Sequence, residues 1–265
     1  MLRMRDVLVG MLMLGFCLAS RAQDAQQIVR QAVRTELAAD AADHSRWIYY
    51  EVDRKPDASV EQWVADTGQG TLKRVIEQDG RSMTKAQQRN KMNAFIGDTS
   101  AQAKQRSSGQ QDDQQATQML RMLPQAFVWT KSGERGGDTV LQFRPNPQFH
   151  PPTWEARVFA AMAGEMTVNN KQHRIVSLKG RMIHDVNFWG GLLGHLQAGG
   201  TFDVERRELA PGIWQIVQTH VHIEGHALIF KSISEEEDDD KSKFKELPAN
   251  VSLASAEKML LTEKG

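Results

Sequence analysis

The sequence predicts an α+β protein: an incomplete antiparallel β-barrel (a half-barrel) that is covered or plugged by helices. In the C-terminal half, short β-prone runs follow one another at intervals of roughly ten residues with turn signals between them, a pattern typical of a curved antiparallel sheet. Two other stretches, residues 24–43 and 84–123, favour helices. Because exposed sheet edges invite pairing with other chains, we expect these helices to cover the sheet.

The composition is that of an ordinary globular protein. The chain has 265 residues, of which 40% are hydrophobic and 25% are charged. Its 20 glycines and 8 prolines show no period, which excludes collagen-like and low-complexity proteins. The 33 basic and 33 acidic side chains balance each other. Nucleic-acid-binding proteins usually carry an excess of basic residues, so nucleic acid is not an expected partner.

Residues 1–22 have the pattern of a secretory signal peptide. An apolar run follows two arginines, and small side chains precede a cleavage site near Ala22-Gln23. We therefore expect residues 23–265 to form a single exported domain, either periplasmic or secreted. The one cysteine, Cys17, lies in the segment that cleavage would remove, so no disulfide is expected.

The N-terminal part of the expected domain combines one helix with a strand meander. Residues 24–43 are predicted to form an amphipathic helix, because apolar side chains recur there at three- and four-residue spacing. Asp24 is a suitable N-cap. The β-prone runs that follow, residues 47–52, 60–66 and 72–77, are separated by turn-forming residues and predict three antiparallel strands.

A helical insertion is predicted over residues 84–123, which are rich in Gln, Lys, Arg and Asp and poor in β-branched residues. Ser107-Ser108-Gly109 predicts an interruption within it. We expect the helix to stop at Pro124. Its last turns carry an apolar stripe of Ala116, Met119, Leu120 and Leu123.

The remainder of the chain is predicted to be mostly strand. Residues 127–131 and 139–143 predict a β-hairpin with a long loop. The later predicted strands occupy residues 165–168, 174–179, 181–188, 201–208, 213–223 and 227–234. The acidic segment, residues 235–243, is most simply a solvated loop or hairpin tip.

The order of these elements carries a family resemblance. Residues 166–180 contain a strand, a tight turn and a second strand, and residues 184–188 follow as a further β-prone segment. Gly199-Gly200-Thr201-Phe202 and Gly212-Ile213-Trp214 continue the pattern. In this order, the chain resembles the LolA/LolB-like periplasmic proteins that sort outer-membrane lipoproteins. The resemblance covers residues 25–235.

The resemblance implies a half-barrel that encloses an apolar cavity for acyl chains. A protein of this kind is a carrier, not an enzyme, and it needs no cofactor. Its partners are a lipidated protein or another apolar ligand, together with outer-membrane or inner-membrane components. Burial of apolar surface would supply the affinity.

Five residues are candidates for the wall or gate of such a cavity. Methionine adapts to flexible chains, and a glycine-rich apolar loop over residues 189–194 is suited to guard a cavity mouth. Ordinary core packing and a buried turn explain the same residues equally simply. The candidates are Trp189, Leu192, Leu193, Met119 and Leu120.

A second candidate site lies on the predicted strand around residue 220. Alternate residues of a strand share a face, so His220, His222 and Glu224, with His226 beyond Gly225, would project together. Imidazoles and a carboxylate on one face can hold zinc. A solvated strand face has the same alternation of polar and apolar residues.

The function that these observations favour is an exported, non-catalytic carrier or sensor of acyl chains or other apolar ligands. The first alternative is a periplasmic structural or regulatory module that binds protein without a lipid cavity. The weaker alternative is a metal-dependent hydrolase at the 220–226 strand. The sequence contains no phosphate-binding loop, no H-E-x-x-H motif and no nucleophile elbow.

Overall fold

The computed structural model describes residues 24–188, 194–223, 225–227 and 236–264. The predicted signal peptide lies outside these residues. The helices are α1 (residues 24–42), α2 (Lys85–Gly97), α3 (Thr99–Ala126), α4 (Trp154–Ala160) and α5 (Leu253–Thr262). In the described part of the chain, no helix is both long enough and apolar enough to cross a membrane.

The strands alternate with these helices along the chain. They are β1 (Arg46–Lys55), β2 (Ala58–Thr67), β3 (Gly70–Gln78), β4 (Arg81–Ser82), β5 (Phe127–Arg135), β6 (Asp138–Pro145), β7 (Met162–Asn169), β8 (Ile175–Met182), β9 (Val186–Phe188), β10 (Gly194–Leu196), β11 (Thr201–Ala210), β12 (Ile213–His222), β13 (Gly225–Ala227) and β14 (Glu236–Leu247).

Within the described residues, eleven strands form one sheet in the order β4-β3-β2-β1-β14-β12-β11-β8-β7-β6-β5. Neighbouring strands are antiparallel throughout. The edge strands β4 and β5 do not pair with each other, so the sheet is open. β13, β10 and β9 form a second, three-stranded sheet. The predicted α+β class, an open antiparallel half-barrel covered by helices, is confirmed.

The strand register places two hydrophobic cores on opposite faces of the large sheet. Directly paired residues share a face, and Val52 and Gln218 both pair with Asp240. Thr219 is the next residue after Gln218, so it points to the other face, and it pairs with Val204 of β11. Val204 therefore lies on the face opposite to Val52. We call these the β11 face and the β1 face.

On the β11 face, α1 packs against the half of the sheet that contains β5 to β8. Its apolar stripe is buried against Leu141 and Met166 and contains Ala25, Val29, Ala32 and Val33. The second half of α4 and the end of α3 complete this core. The helix predicted for residues 24–43 therefore forms, and its apolar face is buried where the periodicity predicted.

On the β1 face, α2 and α5 cover β1, β2 and β3. Ile48 and Leu72 from the strands pack with Met92 of α2 and Leu260 of α5. Arg74 of β3 donates hydrogen bonds to the carbonyl oxygens of Leu260 and Glu263, which satisfies acceptors that the end of α5 leaves open. The sequence analysis did not predict α5, although its apolar spacing and the Ser252 N-cap are the expected signals.

The helical insertion differs from the prediction in where it breaks. α3 runs without interruption through Ser107-Ser108-Gly109, and the break between α2 and α3 is at Asp98. The Asp98 carboxylate accepts a hydrogen bond from the Ala101 N–H (2.9 Å), so this residue starts the second helix. Pro124 does not stop the helix, because α3 continues to Ala126.

α3 joins the two ends of the sheet. Near its start, Gln105 exchanges hydrogen bonds with the backbone N–H and carbonyl of Thr71 on β3 (2.7 and 3.0 Å). At its other end, the Leu123 carbonyl accepts a hydrogen bond from the Trp129 indole of β5 (3.1 Å). Leu123 lies 18 residues after Gln105, which corresponds to about 27 Å of helix.

The acidic segment is a strand, so the prediction of a solvated loop or hairpin tip is wrong. β14 lies in the interior of the sheet between β1 and β12. Its neighbours compensate its charges: Asp238 bonds to His220 of β12 (2.8 Å), and Asp240 accepts from Gln218 (2.8 Å). Asp239 and Lys241 form an ion pair on the opposite face (2.9 Å).

Candidate functional site

A cavity of about 590 Å³ lies between the β11 face of the sheet and the helices that cross it. The sheet contributes residues from β8, β11 and β12, the helices α1, α3 and α4 contribute others, and Asp43, Arg174 and Gly212 come from the connecting segments. Most of the wall is apolar. The apolar lining residues are Ala39, Ala116, Met119, Leu120, Leu123, Phe159, Ile175, Leu178, Val204, Trp214 and Ile216.

The cavity is open to solvent on the side of β12. Ile216 is 42% exposed and lines the cavity. Leu123, at the other end of the lining, is almost fully buried. The apolar surface therefore extends from the core towards solvent, and a bound apolar group would cover Ile216.

Two of the sequence-predicted cavity residues, Met119 and Leu120, line this cavity from α3. Both are partly buried, and Leu120 also packs against the core of the β11 face. Trp189, Leu192 and Leu193, the predicted gate residues, lie outside the described residues. The lining of the cavity thus includes the two predicted helix positions on α3.

The polar centre of the cavity is a buried cluster of Glu36, Arg174 and Arg206. Arg174 Nε donates to Glu36 Oε2 (3.0 Å), and Arg174 Nη2 lies 3.0 Å from the same oxygen. Arg206 Nη1 lies 2.6 Å from Glu36 Oε2. The other carboxylate oxygen, Oε1, accepts the backbone N–H of Ile175 (2.6 Å). One carboxylate therefore holds two guanidinium groups.

Two backbone carbonyl groups accept hydrogen bonds from the arginine side chains and hold them in place. Arg174 Nη1 donates to the Gly212 carbonyl (2.7 Å), and Arg206 Nη2 donates to the Trp214 carbonyl (3.1 Å). Both acceptors belong to the β11–β12 turn region or the start of β12. The cluster therefore ties α1 to three parts of the sheet, and the exposed carboxylate of Glu208 on β11 also interacts with Arg174.

The other acidic side chains of the lining lie near the end of α1 and on α3. Asp40 follows Glu36 by four residues, which places the two on one side of α1, and Asp43 comes directly after the end of the helix. Asp43 accepts hydrogen bonds from Gln215 (3.1 Å) and from the Ser45 N–H (2.8 Å). Partial desolvation, together with the carboxylates of Asp40 and Asp112, raises the pKa of Asp113 on α3.

A smaller hollow of about 400 Å³ adjoins the cavity at the end of α1. The two share Ala39, Asp43 and Gly212 as lining residues. The hollow continues between the β11–β12 turn and the end of β14, where Leu247 and Ala249 line it. The concave space is therefore longer than the main cavity alone.

Sequence reasoning did not identify Glu36, Arg174 or Arg206. One signal was available for Glu36: it continues the buried stripe of Val29 and Val33 at a spacing of three residues, where an apolar residue is expected. A charged residue at such a position requires a buried partner. The partners themselves come from β11 and from the residue before β8, and no local spacing relates them to α1.

The candidate metal residues occupy the other side of the sheet. His220 and His222 project from β12 on the β1 face, where His220 Nδ1 is 2.8 Å from Asp238 Oδ1. Glu224 lies outside the described residues, and His226 belongs to β13. In the ranges that the structure describes, no three His, Cys, Asp or Glu side chains are placed to hold a metal ion together.

Comparison with solved structures finds a likeness to the crystal structure of an outer membrane lipoprotein-sorting protein domain from Vibrio parahaemolyticus. The two chains are 11% identical, and the match covers 88% of this chain and 99% of that chain with a TM-score of 0.33. No protein-family model and no curated protein matches the sequence.

Proposed function

We propose that the protein is a non-catalytic carrier or sensor that holds an apolar chain in the cavity between the β11 face, α1 and α3. The observation that supports this most is the cavity itself: its volume, about 590 Å³, lies within the range typical of small-molecule sites, and its wall is mostly apolar. Membership of the LolA/LolB-like family, which the order of elements predicts, belongs to the same proposal.

The driving force would be the removal of apolar surface from water. Each buried methylene contributes about 0.8 kcal/mol, so ten methylenes contribute about 8 kcal/mol before the entropic costs of binding. The exposed part of Ile216 and the walls at Leu120 and Leu178 are the surfaces that a chain would cover. Met119 can adapt to chains of different shape.

The proposal includes an exported location. Residues 1–22 would direct the chain to the periplasm or out of the cell, and cleavage near Ala22-Gln23 would release the carrier. There it would receive a lipidated protein or another apolar ligand from one membrane component and deliver it to another. Reversible burial needs no covalent chemistry.

A protein-binding module is the second candidate, and one observation favours it. A shallow groove of about 760 Å³ crosses the sheet at Gly164 and Gly180. Charged side chains on the β1 face, among them Lys179, Asp203 and His220, line it. A polar partner would suit such a groove, and the cavity would then play no part in binding.

A bulky residue in the cavity wall separates the two functions. Ala116→Trp on α3 is expected to weaken binding of a fluorescent alkyl probe with an uncharged head by at least about tenfold, because the indole occupies space that two or more methylenes would fill. The measurement is a fluorescence titration of the full chain with this probe.

Ala103→Trp is the matched control, since Ala103 is an exposed alanine of the same helix. We expect its affinity to stay within about twofold of the unsubstituted chain. If the unsubstituted chain does not bind the probe, or if Ala116→Trp binds it equally well, the carrier proposal is wrong.

A further inference from the structure

We propose that the cavity selects amphiphiles that carry one negative charge next to the apolar chain, a carboxylate or a phosphodiester, and that Arg206 beside Arg174 binds this group. This inference rests on the proposed carrier function. The structure places a guanidinium with open hydrogen-bonding capacity in the wall of an apolar cavity. An uncharged acyl chain alone would leave that capacity unused.

The charge of the buried cluster supports an anionic ligand. Two guanidinium groups face one carboxylate, and the exposed side-chain fractions of Arg174, Glu36 and Arg206 are only 7%, 5% and 19%. A positive charge that is largely removed from water is stabilised by an anion nearby. The exposed carboxylate of Glu208 also interacts with Arg174, so a ligand carboxylate or phosphodiester would balance the positive charge of Arg206.

The donors of Arg206 support the same assignment. A guanidinium has five N–H groups, and Arg206 directs one towards Glu36 and one to the Trp214 carbonyl. Among the described residues, the other three meet no protein acceptor. Arginine binds carboxylates and phosphates through two parallel N–H groups, which such a side chain can still provide.

Apolar side chains next to Arg206 would contact the apolar chain of the ligand. Arg206 follows Val204 by two residues on β11, so both project to the cavity side, and it pairs with Ile216 of β12. Val204 in turn pairs with Leu178 of β8. A chain attached to an anion at Arg206 would therefore lie against these three apolar side chains.

The acidic residues of the lining limit the ligand to one negative charge near the cluster. Asp40 lies four residues beyond Glu36 on α1, about 6 Å along the axis, and Asp113 faces it from α3. A second negative charge on the same head group would approach these carboxylates. We therefore expect monoanions to bind better than dianions of the same chain length.

The test is displacement of the uncharged alkyl probe by three competitors of equal chain length, at a pH where carboxylic acids are ionised. These are hexadecanoate, hexadecan-1-ol and a hexadecanoyl lysophospholipid with a glycerol head group. We expect hexadecanoate or the lysophospholipid to bind about tenfold tighter than the alcohol. The stronger of the two identifies the anion as carboxylate or phosphodiester.

Substitution of Arg206 tests the assignment of the residue. Arg206→Gln is expected to weaken the preferred anion about tenfold and to leave the alcohol within about twofold. Arg207→Gln is the matched control, because Arg207 is the next residue on β11 and is exposed. Arg206→Lys keeps the charge and is expected to keep part of the preference for the anion over the alcohol. This variant tests the assignment if Arg206→Gln does not fold.

Each outcome decides between the two proposals. If the alcohol displaces the probe as well as both anions do, the anion inference is overturned while the carrier function stands. If Arg206→Gln and Arg207→Gln weaken the anion equally, Arg206 does not bind it. If the probe itself does not bind to the unsubstituted chain, the carrier function fails as well.

Discussion

Glu36→Gln is expected to lower the free energy of unfolding by about 3–5 kcal/mol, the largest effect of any single substitution considered for this chain. The carboxylate is 5% exposed and holds the guanidinium groups of both Arg174 and Arg206. Glutamine keeps an oxygen that accepts hydrogen bonds but loses the charge. The two buried arginines would then repel each other without compensation. Urea denaturation of the full chain measures the change.

The control is Glu134→Gln, which removes one partner of an exposed ion pair with Lys131 (3.0 Å). Exposed pairs contribute at most about 1 kcal/mol, so this variant should unfold close to the unsubstituted chain. If Glu36→Gln and Glu134→Gln lower the free energy of unfolding by the same small amount, the buried cluster does not stabilise the packing of α1 on the sheet.

Gly164→Ala is expected to lower the free energy of unfolding by about 3 kcal/mol or more. A Cβ at this position of β7 would overlap the Lys179 carbonyl oxygen and lie 2.8 Å from the Gly180 Cα, both of which belong to the backbone of β8. Backbone atoms of a paired strand cannot move aside without breaking the ladder. The β7–β8 pairing forms part of the sheet on which the cavity is built, and urea denaturation again gives the magnitude.

Gly133→Ala is the matched control, since Gly133 also lies in a strand, β5, and a Cβ there meets nothing within 4 Å. Because alanine restricts the unfolded chain more than glycine does, this variant should be unchanged or stabilised by up to about 1 kcal/mol. Equal destabilisation by both substitutions would mean that β7 and β8 do not approach as closely as described.

Local periodicity was sufficient to predict most of the fold. The spacing of apolar residues, together with the turn-forming residues between the runs, predicts the apolar stripe of α1, the meander β1–β3 and the strands β7, β8, β11 and β12. Asp98 shows the limit of this reasoning. It ends one helix and caps the next, whereas Ser107-Ser108-Gly109, a stronger breaker by composition, lies inside α3.

β14 could not be predicted from its own residues. A run of aspartates is unfavourable in a strand unless its neighbours compensate the charge. Here the compensation comes from His220, Gln218 and Arg54, which lie on the strands to either side. Phe244 adds a stacking contact with Tyr49 (5.2 Å between ring centroids). Such partners become visible only when the strand order is known.

The candidate site was predictable only in part. The helix positions Met119 and Leu120 follow from the apolar stripe of α3, which must face something apolar. The polar cluster at the centre of the cavity joins Glu36 to residues more than a hundred positions away in the sequence. The topology of the fold brings these charges together, and no spacing in the sequence relates them. The sequence therefore did not predict charged residues at the centre of the cavity.

The central claim is that the cavity on the β11 face holds an apolar chain, and paramagnetic NMR tests it most directly. A long-chain amphiphile with a nitroxide label on its tail would be added to protein with labelled leucine methyl groups. We predict broadening of the Leu120 and Leu178 methyl signals, which line the cavity. The methyl signals of Leu72 on β3 and Leu260 on α5, both buried in the core of the opposite face, should stay sharp. Broadening at Leu72 and Leu260, or at none of the four, would contradict the account.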